Sequence, residues 1–302
     1  MIKRHQNTLV PLALAIVPLL LAACGGGSDG GSTTDPEGSE TQTFIDAGDG
    51  SGTTATGFPN VADFTQRGPF ETMTSNRGPR CQIFRPKTLG EDGLDHPVIV
   101  WGNGTGATPS VYHELLSHWA SHGFVVAAAQ ARRAGTGREL LACRDFLAEK
   151  DSQASGVFAG NLDLSRVAAS GHSRGAGGAL KAGATGKINV TAPFQPPKKD
   201  FETRRNQEGP MFLISGSLDM ITKPETQQRP IFRAANAPIF WGILEDANHQ
   251  EPTADAGRFR GPATAWLRFQ LMDDTSAKSG FVGENCDLCT SDQWQVQTKK
   301  LN

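Results

Sequence analysis

The chain carries almost no excess charge: 29 lysines and arginines stand against 31 aspartates and glutamates, a formal net charge of −2 over 302 residues. That balance gives no extended basic surface to hold a phosphate backbone, so nucleic acid is excluded as a partner. Short positive runs such as Arg132-Arg133 and Lys198-Lys199 read as solvated loop charges. Internal repeats are missing, which argues against a repeat architecture. No group of His, Cys, Asp and Glu has metal-ligand spacing, and nothing in the sequence calls for an organic cofactor. A long hydrophobic run is missing too. The apolar stretch from Leu9 to Ala23 is too short and too glycine-flanked to favour a permanent membrane span.

With Lys3 and Arg4 ahead of it, that stretch has the form of a secretion signal. Leu21-Ala22-Ala23-Cys24 resembles the lipobox of bacterial lipoproteins, in which Cys24 would be acylated and become the mature N-terminus. Residues Gly25 to Gly52 are dominated by Gly, Ser, Thr and acids, with too little apolar content to bury a core. The expected organisation is a lipoprotein signal peptide over 1–24, a tether over 25–55 and one folded domain over 56–302. Such a protein is exported and meets a membrane only through its N-terminal lipid. Cysteine use agrees. With Cys24 lipidated, Cys81, Cys143, Cys286 and Cys289 remain, and an oxidising compartment turns four thiols into two disulfides. Three pairings are possible; Cys286 and Cys289 are near enough to close a tight loop, which leaves Cys81 for Cys143. As a zinc or redox motif, Cys286-Asp287-Leu288-Cys289 lacks a second pair or a nearby histidine.

From Cys81 onward, short apolar runs alternate with helical patterns, predicting a mostly parallel central sheet with helices on both faces. The strands are expected at Cys81–Arg85, Pro97–Trp101, Phe124–Ala129, Arg166–Ser170, Asn189–Ala192, Met211–Ser215 and Ile239–Leu244. Helices are expected at Pro109–Ser121, Arg138–Glu149, Ser173–Ala184, Lys223–Ala235 and Gly261–Met272. In the first of these, Val111, Leu115 and Trp119 form an apolar stripe. Function in such sheets collects at the carboxyl ends of the strands.

Gly171-His172-Ser173-Arg174-Gly175 lies at one such end. G-x-S-x-G is the pattern of a nucleophile elbow, where a strand turns sharply into a helix and lifts a serine hydroxyl out of the backbone. A serine needs a base to take its proton, and on this fold the partners follow it in the order acid, then histidine. His249 alone of the seven histidines lies after Ser173, so chain order selects it. The acid is expected at Asp219, just after the strand Met211–Ser215. Asp246 and Glu245 are rivals, but they sit in the same tight loop as His249 and have difficulty reaching round to the far side of its ring. Asp200 and Glu202 stand among charged residues that read as solvated. An oxyanion hole needs two N–H donors. One is expected from Arg174, after the nucleophile, and the other from Thr105 in the loop Trp101-Gly102-Asn103-Gly104-Thr105-Gly106.

These residues resemble the bacterial cutinase-like polyester hydrolases of the α/β-hydrolase superfamily. The likeness rests on the elbow, the Gly216 to Pro224 acid loop, Asn248-His249, and Pro97 to Thr105 ahead of Ala120-Ser121-His122-Gly123-Phe124-Val125-Val126. Arg67-Gly68-Pro69-Phe70 is similar to that group's N-terminal strand. The resemblance implies a carboxylic ester hydrolase with an acyl-serine intermediate, in which Ser173 is nucleophile, His249 base, Asp219 acid, and Thr105 and Arg174 the oxyanion donors. The alternatives are an amidase, peptidase or acetylhydrolase on small exported substrates, or an inactive surface binding lipoprotein. Three departures bear on substrate. Arg174 stands where the group has methionine or glutamine; its cation either stands beside the acyl pocket, favouring esters with a carboxylate or polar acyl part, or turns away to a surface carboxylate. Thr105 replaces a substrate-stacking aromatic. Ala192-Pro193-Phe194-Gln195-Pro196-Pro197 lacks the tryptophan that clamps substrate.

Overall fold

A computed structural model describes residues 48–78, 80–198 and 206–301. The expected signal segment with Cys24, the tether as far as 47, Asp200 and Glu202 lie outside the described residues. Strands are β1 (Thr72–Arg77), β2 (Cys81–Pro86), β3 (His96–Gly102), β4 (Val125–Ala129), β5 (Leu162–His172), β6 (Val190–Phe194), β7 (Met211–Gly216), β8 (Ile239–Leu244) and β9 (Trp294–Lys299). They form one sheet in the order β1-β2-β4-β3-β5-β6-β7-β8-β9. Pairing from β4 to β8 is parallel, and β1, β2 and β9 add antiparallel edges. Because β4 and β5 lie on opposite sides of β3, the strand order reverses there and opens a crevice beyond the carboxyl ends of β3 and β5.

The parallel strands read as continuous apolar runs because both faces are covered. Along β3, Ile99 and Trp101 enter one core with Leu115, Trp119 and Trp266, while Val98 and Val100 enter another with Leu140, Cys143 and Leu147. Helices α1 (His113–Ser121), α2 (Arg138–Asp151), α3 (Arg174–Gly183), α4 (Arg229–Ala234) and α5 (Arg260–Met272) supply those layers. The small residues of α3 allow it to lie close: a Cβ on Gly178 would sit 1.9 Å from the Ala134 carbonyl oxygen.

Several expectations change. The helix expected from Pro109 begins as a 3₁₀ turn, Pro109–Tyr112. At about three residues per turn the stripe breaks: Leu115 and Trp119 are buried, but Tyr112 turns inward and Val111 is exposed. Lys223–Ala235 likewise splits into a π turn, Pro224–Gln228, and α4. Arg67 to Phe70 is not a strand; it is tied to the end of α1 by the Phe70 N–H donating to the Ser121 carbonyl, 3.0 Å, and the first strand starts at Thr72. Composition extends the tether to 55, yet Thr54 is buried and the Thr54 N–H donates to the Phe58 carbonyl, 2.8 Å, so packing begins a few residues earlier.

Cys81, at the start of β2, is bonded to Cys143 in α2 across 62 residues of sequence, and Cys286 is bonded to Cys289. In the loop-closure account, removing the long bridge by Cys81→Ala/Cys143→Ala lowers unfolding free energy by about 4 kcal/mol, and removing the short one costs far less. Urea midpoints of the two double variants test this. Equal midpoints would mean that the long bridge does not act through loop closure.

Three histidines outside the crevice pack against backbone carbonyls. His96 bonds the Gly123 carbonyl at 2.6 Å, His118 the Phe64 carbonyl at 3.0 Å, and His122 the Gln66 carbonyl at 3.0 Å. The rings of His118 and His122 lie 4.6 Å apart, tilted by 56°. Burial holds all three below the ordinary 6.5, His118 at about 4, with Arg260 also lowering it against Asp255 and Asp63. His122 is pushed down further by His118 and Arg268. Below 6.5 the unfolded chain takes up protons that the folded chain refuses, so stability present above that pH is lost as pH falls toward 4. Melting temperature is expected to be level above about pH 7 and to decline steadily below it. A flat calorimetric profile across that window would sink the idea.

Candidate active site

β5 runs into Ser173, which takes φ 53° and ψ −118° before α3 begins at Arg174. A positive φ on a non-glycine residue costs on the order of 1–3 kcal/mol and persists only where the surroundings enforce it. Here they do. The Ser173 N–H donates to the Phe194 carbonyl at the end of β6, 2.9 Å, and the Ser173 carbonyl accepts from Gly177 N–H, 3.1 Å. The flanking glycines are demanded by space: a Cβ on Gly171 would lie 2.6 Å from the Gly102 carbonyl oxygen, and one on Gly175 only 2.0 Å from it. The turn thus rests directly on the end of β3.

Asp219 follows β7 and is almost fully buried. Its Oδ1 accepts from the Ile221 and Thr222 N–H groups at 2.9 and 2.8 Å, and its Oδ2 from Thr222 Oγ1 at 2.6 Å. His249 Nδ1 lies 2.8 Å from Oδ2. Burial alone would raise the carboxyl's pKa, but the hydrogen bonds from His249 and Thr222 outweigh it and hold the group lowered and ionised. In the neutral imidazole, an Nδ1 proton directed at that carboxylate leaves Nε2 as the bare nitrogen. The rival acids are engaged elsewhere: Asp246 is exposed, and Glu245 takes a hydrogen bond from Gln295.

Ser173 and His249 line one open groove of about 280 Å³ with Gly104, Thr105, Ala107, Val111, Tyr112, His172, Ile221, Gln250 and Thr253. Among the described residues, Ser173 Oγ meets no hydrogen-bond partner. The loop after β3 consumes its neighbouring amides: Gly104 N–H donates to Tyr112 Oη and Gly106 N–H to the Arg132 carbonyl, each at 3.0 Å. The Thr105 N–H between them meets no acceptor among the described residues. Nor does that of Arg174, a first-turn helix amide with no side-chain cap.

The Arg174 side chain does not line the groove: it runs over Gly135, whose Cβ would fall 2.7 Å from Arg174 Cγ and 3.0 Å from Nε. Gly135 leaves that path open, so the guanidinium stem lies along the β4–α2 loop. Phe194 is fully buried against Trp101, Trp119 and Phe259, and stands in the core where a clamp would need to face substrate.

Sequence reasoning missed three supporting side chains. Thr222 braces the acid from three residues downstream, a spacing at which a hydroxyl can reach back, so that signal was available. Gln195, buried at φ 51°, donates from Nε2 to the Asn248 carbonyl at 2.8 Å, tying β6 to the histidine loop. Tyr112 bridges Gly104 and His172. Nothing local marks either of these two.

The chain is similar to known proteins over most of this region. It is 27% identical to a cutinase of Thermobifida alba over 229 residues, covering 68% of this chain and 76% of the other. To a cutinase of Thermobifida cellulosilytica it is 29% identical over 166 residues, 52% of this chain and 61% of the relative. To the bis(hydroxyethyl) terephthalate hydrolase of Streptomyces coelicolor it is 26% identical over 201 residues, 64% and 62% of the two chains. Residues 65–299 match the family described as PET hydrolase-like. With that match running from the segment before β1 to the last residue of β9, the chain belongs to the PET hydrolase-like family and carries its α/β-hydrolase fold.

Proposed function

We propose that the protein is an exported serine esterase of the cutinase and polyesterase kind, working on neutral esters with apolar acyl parts. The observation that carries this reading is His249, held by Asp219 at 2.8 Å in the groove that Ser173 lines. Ser173 Oγ attacks the ester carbonyl carbon while His249 Nε2 takes its proton, and Asp219 stabilises the imidazolium. The N–H groups of Thr105 and Arg174 receive the charge that grows on the carbonyl oxygen. The bond to the alcohol oxygen then breaks, and His249 returns the proton to it. Water repeats the sequence on the acyl-serine, releasing the acid and restoring the hydroxyl. The scheme requires no metal or organic cofactor.

Substrate class follows from the walls. Ala107, Val111 and Ile221 line the groove, and Leu218, Met220 and Ile221 are exposed beside it, whereas Arg174 turns away. A neutral ester presented by apolar material fits that rim; an anionic acyl group finds no cation in it. The names of the relatives, cutinase and bis(hydroxyethyl) terephthalate hydrolase, point the same way. Export rests on the signal-like start, the lipobox at Cys24, the polar tether that follows it, and two disulfides that need an oxidising compartment. The test is a panel of p-nitrophenyl butyrate, a p-nitrophenyl hemisuccinate, bis(hydroxyethyl) terephthalate and p-nitroanilides. Faster turnover of the neutral esters supports the reading; anilide turnover without ester turnover would overturn it.

A further inference from the structure

We propose that Tyr112, the sole tyrosine of the chain, is a positioning residue of the oxyanion hole, setting the separation between the two loops that supply its N–H donors. The inference rests on the roles given above to Ser173, Thr105 and Arg174. Those donors come from different elements: Thr105 from the loop after β3, and Arg174 from the start of α3 beyond β5. At the base of the crevice, β3 and α3 are held by glycine contacts between Gly102 and Gly175. Above that contact the β3 loop is drawn outward, since Gly106 N–H donates to Arg132 and Asn103 Nδ2 donates to the Ala129 carbonyl at 2.6 Å. Both of these hold the loop to the β4 side. Tyr112 pulls the other way.

Its hydroxyl lies 3.0 Å from Gly104 N and 2.9 Å from His172 Nδ1. Gly104 immediately precedes Thr105, and His172 immediately precedes Ser173, so one oxygen joins the two donor segments next to their working residues. A backbone N–H can only donate, so Oη accepts from Gly104. Burial and the neighbouring His249 hold the pKa of His172 at about 3, so its ring is neutral; in the tautomer with the proton on Nε2, Oη gives its own proton to Nδ1. The hydroxyl is a donor and an acceptor at once, and each bond polarises the other.

The link is also rigid. Tyr112 is 1% exposed, its ring lies 5.0 Å from that of Trp101 and 5.8 Å from that of His172. Residue 104 is fitted to it, because a Cβ there would stand 2.8 Å from Oη and 3.2 Å from His172 Nδ1. Removing the oxygen leaves a buried N–H without an acceptor, and the loop relaxes toward its β4 tethers, carrying the Thr105 N–H away from the developing charge.

Tyr112→Phe is expected to lower kcat for p-nitrophenyl butyrate by about tenfold to a hundredfold, the range for a misplaced oxyanion donor, with KM nearly unchanged. Butylboronic acid, which accepts Ser173 Oγ on boron to form a tetrahedral anion, should weaken in the same proportion. Butyramide, a planar competitor, should bind as before. Wild-type kcat and boronate affinity in the variant, whatever its melting temperature, would overturn the proposal, as would a raised KM at unchanged kcat. Should the variant not fold, 3-fluorotyrosine incorporated in place of tyrosine alters this one residue alone and makes its oxygen a poorer acceptor. A smaller parallel loss in kcat and boronate affinity is then expected, and unchanged constants count against the link. A wild-type protein that turns over no ester defeats the reading of the site itself, and is distinguished from a wild type that is active beside an equally active Tyr112→Phe.

Discussion

Ser173→Ala and His249→Ala each lower kcat for p-nitrophenyl butyrate by about 10⁴ or more, and the double variant is scarcely worse than either single one. The size follows from what is removed. Without the hydroxyl no acyl-enzyme forms, and without the imidazole the hydroxyl stays protonated as it attacks. Non-additivity follows from their acting as a unit, since neither half of the pair has a use alone. A residual rate above that of water is expected from the oxyanion donors and the groove, which both variants retain. The measurement is steady-state kinetics on the three variants, with fluorophosphonate labelling of residue 173 to follow the nucleophile separately. His249→Ala that labels and turns over like the wild type would remove His249 from the mechanism.

Asp219→Asn is expected to cost about 10⁴ in kcat, while Asp246→Asn stays near the wild type. The asparagine fits the space but presents one carbonyl oxygen and one NH₂ where the carboxylate has two acceptors. Four donors converge on that carboxylate: the Ile221 and Thr222 amides, Thr222 Oγ1 and His249 Nδ1. The two amides keep the carbonyl oxygen on their side, so the NH₂ faces His249 and makes Nδ1 the acceptor, leaving Nε2 protonated and useless as a base. Asp246 is exposed, and its own N–H donates to Ser217 Oγ at 2.9 Å. If the pair behaved in reverse, the acid would be Asp246. Thr222→Val probes the same shell more gently, taking one donor from Asp219 and leaving the others.

The elbow was legible because its constraints are local: two glycines beside one serine are needed wherever a strand turns back on its neighbour, and Gly102 supplies that neighbour here. Chain order singled out His249 because no other histidine follows Ser173. The interior strands were readable from apolar runs, whereas β1, Thr72–Arg77, is polar and largely exposed, and β9, Trp294–Lys299, has only Trp294 and Val296 as apolar residues among glutamines, Thr298 and Lys299, so neither stands out from a loop. Arg174 stayed open between two orientations because a residue type does not say which way a long side chain turns; that depended on the bare backbone of Gly135, distant in sequence. Tyr112 was hidden by the 3₁₀ turn, which swapped the inward position from Val111. Bridges such as Gln195 to Asn248 join residues 53 apart; no window of sequence contains both ends.

The buried histidines carry a consequence for the working enzyme. Each ester cleaved near neutrality yields a carboxylic acid that gives up its proton to the surroundings. On a dense, poorly buffered substrate the local pH therefore drifts downward with every turnover, into the range where His96, His118 and His122 stay neutral in the fold but would gladly charge outside it. The product thus undermines the catalyst without ever binding to it. Turnover on such material would brake itself through the enzyme's own unfolding, and a well-buffered surface would release the brake.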